Sequence, residues 1–196
     1  MNLPNKLTVL RIILAFVFIV LLFLNGLGPK IAALIFFLLA SLTDLLDGFI
    51  AKRNNQITNF GKVMDPIADK ILVLSAFLVF VELGIVAAWM VAIIIFREIA
   101  VTTLRFFALS KGKVIAATSS GKHKTVWQIF VISIILTYVI FAEGGRRVFG
   151  FWNDSINVFY KHAIFVLMWI TVLLTLISGL SYFIKNREVY CDEKTH

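Results

Sequence analysis

The sequence predicts an all-α integral membrane protein, a bundle of six transmembrane helices with both termini cytosolic. Three observations carry that expectation. Hydrophobic residues fill 60% of the 196 positions and charged residues only 15%, against about 25% charged in an ordinary soluble domain. The mean hydropathy is +0.95. The charges gather in short stretches between apolar runs, and each run approaches the roughly 20 residues needed to cross a bilayer.

Six runs qualify, at about 7–26, 29–51, 64–83, 85–109, 122–142 and 157–184. The first starts near Leu7 and no small-residue cleavage site follows it, so it reads as a span rather than a leader. The turn segment Asn25-Gly26-Leu27-Gly28-Pro29 separates it from the second. The charged stretch Lys52–Lys62 precedes the third, which is expected to begin near Asp65 and so to hold Pro66 in its first turn. Glu82-Leu83-Gly84 parts the third run from the fourth, Ser110–Lys124 the fourth from the fifth, and Glu143–Asp154 the fifth from the sixth. No internal repeat is visible and the loops are too brief for a soluble module, so residues 1–196 read as one membrane domain. The lone Cys191 has no partner for an internal disulfide and reads as a bystander thiol on a cytosolic tail.

Lysine and arginine in short loops set the orientation. With the N-terminus inside, the inner set is Lys6, Arg11, Lys52, Arg53, Lys62, Lys111, Lys113, Lys122, Lys124, Lys185, Arg187 and Lys194; the outer set is Lys30, Arg146, Arg147 and Lys161. Twelve against four places both termini in the cytosol. Most of the net charge of +8 then forms a rim facing anionic lipid, with no call for nucleic acid as a partner.

Four carboxylates interrupt the apolar pattern. Asp44 and Asp47 end the run 31–46, and Asp65 and Asp69 open the next. A carboxylate within a membrane helix costs roughly 2.5–3.5 kcal/mol, so four cost on the order of 10 kcal/mol. Asp44 stands eight residues before Lys52 and Asp69 seven after Lys62, which puts both about 10–12 Å below the same cytosolic loop. The spacings i, i+3 and i, i+4 keep each pair on one helix face. A cluster this costly should bind something strongly positive, and a divalent metal is the natural candidate. Gly48 leaves space beside Asp47, and Gly61 stands one turn before Asp65; a helical glycine often marks close approach of another group.

Together these residues read Asp44-x-x-Asp47-Gly48-x-x-Ala51-Lys52, eight residues, then Gly61-x-x-x-Asp65-x-x-x-Asp69. This pattern resembles the signature of the CDP-alcohol phosphatidyltransferase family, as does the six-helix layout over most of the chain. Lys52 stands where the family usually has arginine, and Arg53 follows it. The resemblance implies transfer of a phosphatidyl group from CDP-diacylglycerol to an alcohol, with release of CMP. It implies two Mg²⁺ ions, with Mn²⁺ as the alternative, held by Asp44, Asp47, Asp65 and Asp69, and it makes Asp69 the proton acceptor as well. Oxygen-only donors and a phosphate substrate suit those ions. The resemblance further places Gly48, Lys52 and Thr58 against the CDP group, with Gly61 in the same site. The opening Pro4-Asn5-Lys6-Leu7-Thr8-x-x-Arg11 resembles the family's N-terminal stretch beside the nucleotide. Asn5 and Thr8 read equally as helix caps. Relatives are commonly homodimers, and a plasma-membrane enzyme open to the cytosol is implied.

The acceptor alcohol is read from the fourth and fifth helices. Arg97 lies about a dozen residues inside the fourth helix from its cytosolic end, where it needs an anion or a structural partner such as Glu98. Arg97 and Arg105 are eight apart, with Glu98 and Thr102 nearby. Lys122 and Lys124, beside Ser120 and Thr125, would complete a cationic pocket. A neutral alcohol does not need so many cations, whereas a phosphorylated one does. The segments Arg97–Arg105 and Gly121–Thr125 resemble the branch of the family that uses sn-glycerol 3-phosphate. Phosphatidylglycerol, inositol phosphate or serine are the alternative acceptors. A divalent-cation transporter is the competing class, but a carrier should reach both faces, often through inverted repeats, and all four Asp lie in the cytosolic half. His123, His162 and His196 show no metal spacing and read as loop or interface residues. Trp89, Trp127 and Trp169 read as lipid-facing or core, and Trp152 with Tyr160 as part of an interfacial belt.

Overall fold

In the computed structural model the chain forms six helices: α1 (Leu3–Phe23), α2 (Leu27–Asn54), α3 (Asn59–Glu82), α4 (Ala88–Ser110), α5 (Ser119–Val148) and α6 (Asp154–Lys185). The structure describes the backbone of residues 3–54, 59–111 and 119–187, and the side chains of 9–43, 70–111 and 123–187. No strand occurs among the described residues.

Every expected run is helical, but the ends differ. α1 and α3 start earlier than hydropathy suggests, because charged and polar residues continue a helix after it leaves the apolar layer. α3 therefore begins six residues before Asp65, and Pro66 lies inside the helix rather than in its first turn. Proline is tolerated there when neighbouring helices re-satisfy the freed backbone. α5 runs past residue 142 and bends at Gly145, whose φ of 54° and ψ of −162° are not helical. A residue with a Cβ would be strained at that φ, so the glycine lets the chain turn toward α6.

Short connections force alternation, so neighbours in sequence run antiparallel. α1 packs on α2 and α3, α5 packs between α2 and α6, and α4 packs on α6 and α3. The core is built from large apolar side chains on every helix. Phe18 and Leu22 of α1, Phe37 of α2, Phe77 and Phe80 of α3, Ile94 of α4, Ile132 and Ile135 of α5, and Ile164 of α6 are fully buried. A smaller cluster of Val101, Leu104, Ala108 and Tyr182 joins the C-terminal halves of α4 and α6.

The outside is apolar too. Phe16, Leu42, Phe96, Ile99, Phe159, Leu180 and Ile184 are exposed, Phe96 by 75% and Ile184 by 69%. A helix that is apolar all round belongs in a core or in lipid, and these faces meet no other part of the chain. His123–Val148 and Asp154–Lys185 are each long and apolar enough to cross a membrane. Several helix hydroxyls are satisfied locally, as lipid demands. Ser41, Ser133, Thr137 and Thr171 each donate to the carbonyl four residues earlier, at 2.8–2.9 Å. The protein is a membrane protein built of helices.

The end of the bundle holding the α1–α2 turn is pinned by polar contacts. The Gly26 N–H donates to Glu143 Oε1 at 2.6 Å, and Lys30 Nζ donates to the Leu22 carbonyl at the close of α1. Lys30 is thus buried as a cap rather than spread on a charged rim. Arg11, expected on the opposite rim, is buried as well, at 2% exposure. Trp152 is 7% exposed and packs on Tyr138, Phe141 and Tyr160. It seals the α5–α6 connection, which corrects the expectation that it forms an interfacial belt.

Candidate functional site

Among the described residues, charge inside the bundle is concentrated where α3, α4, α5 and α6 meet, and its centre is Glu98 of α4. Glu98 Oε2 accepts from Lys70 Nζ of α3 at 2.6 Å. Its Oε1 lies 3.2 Å from Arg97 Nη1 and pairs with Lys124 Nζ of α5. Lys70 Nζ also reaches the Glu98 carbonyl oxygen at 3.5 Å. Arg97 Nη2 donates to Ser178 Oγ of α6 at 2.8 Å. The next residue, Gly179, lets the α6 backbone lie against the Arg97 stem: a Cβ at 179 would fall 2.9 Å from Arg97 Cγ.

Among the described residues, Lys70, Arg97 and Lys124 oppose one carboxylate, which leaves +2. Arg105, within electrostatic reach of Arg97, raises the described cluster to +3. The side chains of Lys124 and Glu98 keep only 3% and 11% of their exposure, so water screens this excess poorly. Arg97 Nε, Arg105 Nε and the Tyr182 hydroxyl are buried without a hydrogen-bond partner among the described residues. Buried donors are ordinarily satisfied. Net positive charge with unsatisfied donors suits an anion, and charge-assisted bonds to phosphate oxygens would complete the shell. A cleft of about 380 Å³ opens beside Lys124 between α5 and α6, lined by His123, Trp127, Leu174, Ile177, Ser178 and Ser181.

Of the acceptor pocket expected from sequence, Arg97 and Lys124 therefore meet on one carboxylate, and Arg105 stands close by. Arg97 does pair with Glu98, the structural role weighed against phosphate binding, yet its Nε stays unsatisfied. Thr102 turns its hydroxyl back to the Glu98 carbonyl at 2.7 Å and does not offer it to a ligand. The backbone of Asp44 and Asp47 lies in α2, and that of Asp65 and Asp69 in α3. The side chains of these four, and those of Asn5, Thr8, Gly48, Lys52, Gly61 and Lys122, lie outside the described residues, as does all of Thr58.

Sequence reasoning missed Lys70, Ser178, Gly179 and Tyr182. Lys70 had a signal, since a cation directly after Asp69 at the head of an apolar run needs a buried partner for the same reason the carboxylates do. The Ser178-Gly179 pair looks like ordinary small-residue packing between membrane helices.

Comparison with known proteins gives the family. The family described as CDP-alcohol phosphatidyltransferase matches residues 1–177. A CDP-diacylglycerol--glycerol-3-phosphate 3-phosphatidyltransferase of Bacillus subtilis (strain 168) is 38% identical, over 95% of this chain and 96% of that protein. A protein of the same name from Rickettsia prowazekii (strain Madrid E) is 38% identical over 93% of each chain. A "probable phosphatidylglycerophosphate synthase" of Mycobacterium tuberculosis (strain ATCC 25618 / H37Rv) is 35% identical, over 92% of this chain and 79% of that one. Motif, helical architecture and overall likeness agree, and the chain belongs to the CDP-alcohol phosphatidyltransferase family.

Proposed function

We propose that this chain transfers the phosphatidyl group of CDP-diacylglycerol to the primary hydroxyl of sn-glycerol 3-phosphate, giving phosphatidylglycerophosphate and CMP. The names of its relatives support the reaction. The observation that carries the acceptor is the gathering of Lys70, Arg97 and Lys124 on the Glu98 carboxylate with Arg105 close to Arg97, the Nε of each arginine being buried without a hydrogen-bond partner among the described residues. A neutral alcohol would leave that charge unanswered, and a phosphate monoester answers it.

In this reading Arg97, Arg105, Lys122 and Lys124 hold the acceptor phosphate. Asn5, Thr8, Gly48, Lys52, Thr58 and Gly61 hold the CDP-lipid. Asp44 and Asp47 lie in α2 and Asp65 and Asp69 in α3, each pair about one helical turn apart in sequence. Their oxygen donors suit two Mg²⁺ ions, or Mn²⁺. Such ions would supply charge neutralisation at the diphosphate and acidify the attacking hydroxyl. Asp69 takes the hydroxyl proton, and the cationic cluster fixes the acceptor so that this hydroxyl faces the diphosphate. Phosphoryl transfer depends chiefly on such positioning and electrostatic stabilisation.

The chain in this reading is one six-span domain with both termini cytosolic, a homodimer in the plasma membrane with its site open to the cytosol, where a water-soluble acceptor arrives. The positive loop bias supports that orientation. The test is CMP release by purified protein with CDP-diacylglycerol and a panel of acceptors. Glycerol 3-phosphate is expected to be used far better than glycerol, serine, inositol phosphate or phosphatidylglycerol. Equal use of plain glycerol would defeat the phosphate reading, and preference for another acceptor would reassign the chain within its family.

A further inference from the structure

We infer that Glu98 is a positioning residue: its carboxylate gathers Lys70, Arg97 and Lys124 from three helices into one anion-binding cluster. The inference rests on the acceptor reading above and adds to it a residue that binds no substrate itself.

The geometry is specific. The two carboxylate oxygens divide the work, Oε2 taking Lys70 at 2.6 Å and Oε1 taking Arg97 at 3.2 Å together with Lys124. Glu98 is 8% exposed, so these contacts are made in a medium where like charges repel strongly. The three cations share one small volume with this anion between them. Glu98 in turn is fixed from behind. Its carbonyl accepts from Thr102 at 2.7 Å and from Lys70 at 3.5 Å, and Arg97 is braced on the far side by Ser178 at 2.8 Å. Arg97 Nε and Arg105 Nε are left over for a ligand.

Two roles of a carboxylate beside a phosphate site predict opposite signs. If the cations held their places unaided, removing the negative charge would make the pocket more attractive to an anion, and the acceptor would bind more tightly. If Glu98 holds them in place, its removal lets them splay, and the acceptor binds more weakly although the net charge has risen.

The experiment uses the full chain, purified in detergent, carrying Glu98→Gln or Glu98→Asp, with Arg105→Ala and Lys124→Ala as reference variants. Steady-state kinetics are measured with each substrate varied, with inorganic phosphate as a competing anion and Tm recorded for each variant. For Glu98→Gln the expected result is an acceptor KM raised at least tenfold, with inhibition by phosphate weakened in parallel. The KM for CDP-diacylglycerol should stay within twofold. Glu98→Asp keeps the charge one methylene short and should recover most of the loss, which keeps the test open if Glu98→Gln does not fold. An unchanged or lowered acceptor KM in a folded Glu98→Gln overturns the inference, as does equal damage to both KM values. If Arg105→Ala and Lys124→Ala raise the acceptor KM while Glu98→Gln does not, only the positioning role fails. If none of the three changes it, the acceptor-phosphate reading fails as well.

Discussion

Replacing Gly179 with alanine should damage acceptor binding although residue 179 touches no substrate. The added Cβ would lie 2.9 Å from Arg97 Cγ, 3.5 Å from Nε and 3.8 Å from Cδ. Ordinary carbon contacts begin near 3.4 Å, so Cγ must retreat by 3.4 − 2.9, or 0.5 Å. Cγ lies mid-stem, and a movement there is carried through to the guanidinium. The Arg97–Glu98 contact of 3.2 Å would lengthen to about 3.7 Å if the whole shift reached it, which is beyond hydrogen-bonding range. One charge-assisted bond is worth roughly 1.5–3 kcal/mol. An acceptor KM raised about 10- to 100-fold follows, with little change for the CDP-lipid. If α6 moves instead, overpacking of this kind costs about 1–3 kcal/mol of stability and appears as a lower Tm in detergent. Gly28→Ala is the control, since a Cβ there meets nothing within 4 Å. A Gly179→Ala protein with both its acceptor KM and its Tm unchanged would refute the packing argument.

Lys124→Ala should raise the acceptor KM by roughly 10- to 100-fold, from a lost contact of about 1.5–3 kcal/mol, and steady-state kinetics with both substrates varied would register it. Asp65→Asn should abolish turnover in a protein that still inserts; near-normal rates at saturating Mg²⁺ would remove Asp65 from the metal set. Asp69→Asn should lose rate far more than CDP-lipid affinity, and a variant that keeps its rate and only needs more Mg²⁺ would leave Asp69 as a ligand alone. Trp127→Phe removes the 3.0 Å bond from Nε1 to Thr171, and a loss of about 1 kcal/mol is expected in denaturation.

The fold was legible because lipid imposes a strong rule: long apolar runs and charged gaps map onto helices and turns. Helix ends were less so. Polar residues at the start of α3 stay helical, and hydropathy stops counting them too early. The acid motif was legible because its spacing is unusual and its residues are costly in an apolar run. The cationic cluster was half legible. Arg97, Arg105 and Lys124 stood out as charges, but their convergence on Glu98 depends on which faces of α3, α4, α5 and α6 meet, and periodicity along one helix does not contain that. Loop counting likewise took Arg11 and Lys124 as inner and Lys30 as outer loop charges, whereas all three are buried. A positive residue near a helix end can serve the interior as readily as the surface.

The shared carboxylate also bears on how the protein comes into being. Its partners sit on α3, α4 and α5, and the brace for Arg97 sits on α6, the last helix to be synthesised. Each of these charged groups is costly in lipid until its partner arrives, so the cost of leaving them apart draws the later helices onto the earlier ones. A nascent chain that stops short of Ser178 has Arg97 without its brace and α4 without the wall it packs on. The acceptor pocket is therefore complete only when the whole bundle has closed, so the ion pairs that order the finished protein also tie its site to the arrival of its last helix.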